Sequence, residues 1–149
     1  MTKQIIVMRK DLNMRKGKIA AQASHACVSV IMKTMGRAQH KFVELYVNPN
    51  GHWVYDSEDE RYKTWLEDWF NNSFTKICVY VESEEELFNV AKKLEAKGII
   101  FSLIQDNGTT EFHGEKTYTC LATEPRPSED FEGITSALST IAYLHISLR

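Results

Sequence analysis

The chain has 149 residues, 43% hydrophobic and 26% charged, with a formal charge of −2. That length suits one domain with one sizeable core, and the composition excludes disordered and collagen-like chains. No apolar run approaches the roughly 20 residues of a membrane-spanning helix, and the first, residues 5–8, is too short for a secretory leader.

Residues 3–9 carry Ile5, Ile6, Val7 and Met8 in unbroken succession, the pattern of a strand buried on both faces. A polar, basic loop from Asp11 to Gly17 follows, and residues 17–36 read as a long helix. At 100° per residue, Ala20, Ala23, Ala26, Cys27, Val30 and Ile31 gather on one side of it, and the small residues permit close approach to a sheet. Residues 44–63 combine the turn cluster Asn48-Pro49-Asn50-Gly51 with the acidic run 56–60, and are expected to form an exposed excursion rather than a domain. Residues 64–70 predict a short helix with Trp65 and Trp69 on one face, and residues 75–82 a strand. Ser83 and Glu86 form a capping box, with Glu86 reaching back to Ser83. The helix that follows carries Leu87, Val90, Ala91 and Leu94, and Gly98 stops it. Residues 99–105 and 117–124 predict two more strands, the first buried on both faces, and residues 128–139 a last helix with Phe131, Ile134, Ala137 and Leu138 inward. The tail, 140–149, is compatible with a strand or an ordered extension. The expectation is an α/β fold: a single three-layer α/β/α domain over 1–149, with a mixed sheet of about four strands, two central strands buried on both sides, and an acidic insertion near 47–62.

Charge is unevenly spread. Residues 1–18 carry +5 and the remainder −7, which points to a particular anionic partner rather than general polyanion binding. Cys27, Cys78 and Cys120 form no CxxC pair and no metal-ligand spacing, so reduced cysteines in a cytoplasmic protein are expected. His40, His52 and His145 have no ligand-spaced partners, and phosphate-loop, GxGxxG and GxSxG patterns are absent from the sequence.

The chemistry concentrates where the first helix begins. Arg15, Lys16 and Lys18 stand beside the positive end of the helix dipole, an unfavourable placement unless an anion docks there. Lys18, Gln22 and His25 fall within about 60° of each other on the helix wheel, with Ser24 to one side. Asp106 closes a strand, where open α/β sheets commonly place ligands, and Thr109, Thr110, Glu111 and His113 follow it as polar candidates.

Residues 3–29, KQIIVMRKDLNMRKGKIAAQASHACVS, resemble the opening of the archaeal/eukaryotic-type peptidyl-tRNA hydrolases, whose signature is D-L-x-M-x-x-G-K-x-A-A-Q-x-S-H-A. Asp11, Leu12, Met14, Gly17, Lys18, Ala20, Ala21, Gln22, Ser24, His25 and Ala26 match it. The likeness continues through 76–81, 84–110 and the Pro125-Arg126-Pro127 segment. It implies hydrolysis of the ester that joins a peptide, or a blocked amino acid, to tRNA, on a four-stranded mixed sheet, often in a dimer, with tRNA as partner and no metal or organic cofactor. Carried over by motif, Lys18, Gln22, Ser24 and Asp106 are the catalytic candidates. Arg15, Lys16, His25, Thr110 and Thr117 are the substrate-binding ones. Lys18 would stabilise the oxyanion or a terminal phosphate. Asp106 would orient Lys18 and a water that Gln22 and Ser24 position.

The chain departs from the family pattern after Asp106. Thr109 replaces an arginine, Glu111 a glutamine, one residue is added before Thr117, and a loop lysine is absent at Asn13. These changes motivate an alternative, a tRNA-binding regulator with weak or absent hydrolysis. A third reading is an interaction module built on Trp53, Trp65 and Trp69. Incubation with an N-blocked aminoacyl-tRNA discriminates among them.

Overall fold

The structure, a computed structural model, describes residues 1–37, 44–56 and 65–138. The main sheet contains β1 (Thr2–Arg9), β4 (Thr75–Val81), β5 (Phe101–Asp106), β6 (Thr117–Thr123) and the two-residue β7 (Arg126–Pro127). Its order is β4-β1-β6-β5, with β7 also paired to β1. The β1–β4 pair is parallel and the others antiparallel, so the sheet is mixed, as expected. A separate hairpin joins β2 (Glu44–Val47) and β3 (Trp53–Asp56). The predicted turn cluster closes it: the Asn48 side chain accepts from the Asn50 and His52 amides.

Alternation along β1 divides the core into two layers. Ile6 and Met8 face the long helix α1 (Lys16–Arg37), packing with Ala26, Val30, Ile104, Cys120 and Ala122. Ile5 and Val7 face the opposite side, with Leu87, Val90 and Leu94 of α2 (Glu84–Ala96) and with Phe131. Ala26 and Val30 are fully buried, which shows why small and β-branched residues fill that stripe of α1. The sheet therefore lies between helical layers, the three-layer arrangement the sequence predicts.

Some local expectations need correction. Residues 99–105 do not form a central strand: β5 is an edge, and β6 lies beside β1 in the middle. Its apolar run misleads because Ile99 and Ile100 are buried before the strand begins, whereas Phe101 and Leu103 within it are only half-buried. The predicted helix over 128–139 is a single 3₁₀ turn, Ser128–Phe131, followed by turns as far as 138. Gly133, at φ +74°, interrupts it, although Phe131 and Ile134 do point inward. The helical segment at 65–68 passes into a π turn at Trp69–Ser73. In the capping box, the Glu86 amide donates to Ser83 Oγ as predicted, but the Glu86 carboxylate reaches the Glu82 amide instead of Ser83. Most of the acidic run, residues 57–60, and the tail 140–149 lie outside the described residues.

Candidate active site

One row of α1 side chains, at helical spacing, fastens the helix along β5. Lys18 and Gln22 bond Asp106, Ser29 Oγ donates to Ser102 Oγ at 2.8 Å, and Lys33 Nζ donates to the Phe101 carbonyl at 3.1 Å. Ser102, Ile104 and Asp106 share the α1-facing side of β5 because side chains alternate along a strand. The carboxylate that ends β5 is thereby delivered to the first turn of α1.

Lys18 Nζ donates to Asp106 Oδ1 at 2.7 Å and to Thr110 Oγ1 at 2.8 Å. Gln22 Nε2 donates to the same Asp106 oxygen at 3.2 Å, and the Gly108 amide donates to Oδ2 at 2.9 Å. The side chains of Lys18 and Asp106 are only 13% and 12% exposed. Hydrogen bonding from Lys18 holds the Asp106 carboxyl below its ordinary pKa. The Gly108 amide, the Lys18 charge and Gln22 act the same way, against an opposing effect of desolvation. Asp106 is therefore a carboxylate at neutral pH, facing an ammonium.

The loop 107–116 closes over this pair. The Gly114 amide donates to the Gly108 carbonyl and the Glu115 amide to the Phe112 carbonyl, each at 2.9 Å. Gly108 has φ +80°, and a Cβ there would run into the Glu115 backbone, so this position requires glycine. The loop carries Thr110 to Lys18 and sets the Phe112 ring centre 5.8 Å from the ammonium.

A further residue enters the site from β6. Thr119 Oγ1 donates to Gln22 Oε1 at 2.6 Å, so the amide is held at one end by Thr119 while its other end bonds Asp106. Strict alternation would aim Thr119 at the α2 side, beside Leu121. The pairing shifts between Ile104 and Gln105: Ile104 opposes Cys120, Gln105 opposes Tyr118, and Thr119 is the extra residue of a β-bulge. Thr119 and Cys120 consequently both face α1, while Tyr118 packs edge-on against Phe88 of α2. The sequence reading overlooked Thr119. Its signal was a threonine that regular alternation would bury in an apolar layer.

Of the predicted residues, Lys18, Gln22, Asp106 and Thr110 come together. Ser24 is exposed, and its hydroxyl donates to the Ala20 carbonyl of its own helix. His25 is exposed on the outer side of α1, beside Val28 and Met32. Thr117 lies opposite Asp106 in the ladder, but its hydroxyl donates to the Glu115 carbonyl. Lys16 is exposed at the start of α1, and Arg15 Nε stands 3.9 Å from Glu111 Oε1.

The model of the family described as "Peptidyl-tRNA hydrolase PTH2" matches residues 2–141. A relative named peptidyl-tRNA hydrolase from Saccharolobus solfataricus is 34% identical over 141 residues, spanning 95% of this chain and 100% of the relative. A protein of the same name from Thermococcus sibiricus is 34% identical over 139 residues, spanning 93% of this chain and 97% of its own length. Another so named, from Saccharolobus islandicus, is 32% identical over 141 residues, 95% of this chain and 100% of its own.

Proposed function

Because the chain belongs to the peptidyl-tRNA hydrolase PTH2 family, we propose that it hydrolyses the ester of peptidyl-tRNA through Lys18 and Asp106. The reaction releases tRNA and peptide. The observation that carries the assignment of residues is the 2.7 Å contact between the Lys18 ammonium and Asp106, beneath a loop that also binds Lys18 through Thr110.

An ammonium has three protons, and Asp106 and Thr110 engage two. The third is directed to the acyl carbonyl, where it stabilises the oxyanion that forms as water adds. Asp106 stays ionised and orients the Lys18 ammonium. Its Oδ2 accepts from the Gly108 amide and retains a second lone pair, which orients the attacking water. The water oxygen bonds the acyl carbon, the bond from that carbon to the ribose oxygen breaks, and a proton of the water ends on the ribose hydroxyl. Gln22, steadied by Thr119, fixes the carboxylate. Arg15 and Lys16 meet phosphates of the acceptor end, and Thr110, bonded to Lys18, borders the acyl group, whereas His25 and Thr117 stand outside this cluster. Ser24 would contribute to water positioning only after leaving its bond to Ala20.

We further propose that residues 1–149 form one domain acting in the cytoplasm as a homodimer. Three free cysteines and a tRNA substrate support the compartment. The neighbouring exposed side chains of Val28, Met32 and Phe74 around an apolar groove support self-association. The decisive experiment is incubation with an N-blocked aminoacyl-tRNA. Release of the blocked amino acid, lost in Lys18→Ala, is expected; binding without release would reject the hydrolase.

A further inference from the structure

The loop over the site carries a second acid. Glu111 Oε1 lies 3.9 Å from Arg15 Nε, and the two partners differ sharply in exposure: the Arg15 side chain is 90% exposed, that of Glu111 17%. Glu111 is bracketed by Thr110, bonded to Lys18 at 2.8 Å, and by Phe112, whose ring faces the same ammonium. Two backbone hydrogen bonds close the loop around it. The carboxylate is therefore largely buried on a loop closed by backbone hydrogen bonds, whereas the guanidinium stands in solvent and is free to turn.

This asymmetry matters for a polyanion. Lys18 is already matched by Asp106, so Arg15 and the exposed Lys16 are the cations of the first turn left to meet phosphate. A phosphate that recruits Arg15 must draw it away from a largely buried carboxylate, and it then sits beside that negative charge. Building on the tRNA reading above, we propose that Glu111 is an acidic counterweight at the mouth of the site. It competes with tRNA phosphate for Arg15, weakens the grip on deacylated tRNA and so speeds product release.

The test compares binding of deacylated tRNA to the wild type, Glu111→Gln, Arg15→Gln and the double variant, at low and high salt. Glu111→Gln keeps the shape of the side chain and removes its charge. It is expected to bind roughly 2–5-fold tighter at low salt, a gain that shrinks at high ionic strength. In the Arg15→Gln background the gain should vanish. Equal or weaker binding by Glu111→Gln overturns the proposal, and so does an undiminished gain without Arg15. Hydrolysis of N-blocked aminoacyl-tRNA by the same wild-type preparation separates the two levels. Absent hydrolysis removes the enzyme reading and the counterweight with it; hydrolysis with unchanged tRNA affinity in Glu111→Gln removes the counterweight alone.

Discussion

The Lys18 ammonium and the Asp106 carboxylate, 88 residues apart in the chain, meet at 2.7 Å where the first turn of α1 crosses the end of β5. Their side chains are only 13% and 12% exposed, so neither is left to bulk water. Removing either partner strands the other. Lys18→Ala and Asp106→Asn should each lower kcat by about 10²-fold, the scale of losing one oxyanion donor. Substrate binding should change much less in Asp106→Asn than in Lys18→Ala. Single-turnover deacylation with matched circular dichroism checks this, and near-normal turnover by both variants would defeat the assignment.

The same pair sets an acid limit. The bond from Lys18 depresses the Asp106 pKa in the folded protein, whereas the unfolded chain returns it to about 3.9. A depressed carboxylate contributes stability above its unfolded pKa and loses it as pH falls through the folded one. The melting-temperature gap between wild type and Asp106→Asn should therefore be constant from neutral pH to about pH 5 and close at more acid pH. A gap that instead widened on acidification would contradict the sign.

Much of this arrangement was legible in the chain. Strand β1, helix α1 and the Ser83 cap follow from short-range pattern, and the polar row of α1 contains Lys18 and Gln22. That Thr119 turns toward α1 is not legible, because a β-bulge is decided by pairing with another strand and leaves no period of its own in the TYTCLAT run. The edge position of β5 escaped for a related reason. A continuous apolar run reports burial, and here the burial of Ile99 and Ile100 belongs to the approach to the strand. Ser24 illustrates the converse: the motif names the residue, while the geometry leaves its hydroxyl bonded to Ala20.

The bulge makes a quantitative claim on Thr119. Its hydroxyl is fully buried and bonds Gln22 Oε1 at 2.6 Å, so Thr119→Val preserves volume but leaves a buried amide oxygen without its donor. That should cost about 1–3 kcal/mol of stability. The freed amide no longer holds Asp106, so kcat should fall while KM stays close to wild type, and Thr119→Ser should restore most of the loss. A Thr119→Val enzyme with altered stability but unchanged kcat would reduce Thr119 to a packing residue.

Gln4 offers a prediction away from the site. It lies in β1, fully buried on the α1 side beside Cys27, Ile31 and Trp69, and neither its Nε2 nor its Oε1 has a hydrogen-bond partner among the described residues. Both atoms have exchanged water for apolar neighbours with nothing in return, a desolvation cost of about 1–3 kcal/mol per group. Met has nearly the same length and flexibility and no such groups, so Gln4→Met should be stabilising, by about 1–3 kcal/mol. Urea unfolding should show a higher midpoint with an unchanged slope, since the surface exposed on unfolding hardly alters. Gln4→Ala separates this from a simple volume effect: it also removes the amide but leaves a cavity, and it should recover less stability than Met. A destabilised Gln4→Met would mean that the amide is satisfied in solution, and the buried orphan would no longer describe the folded protein.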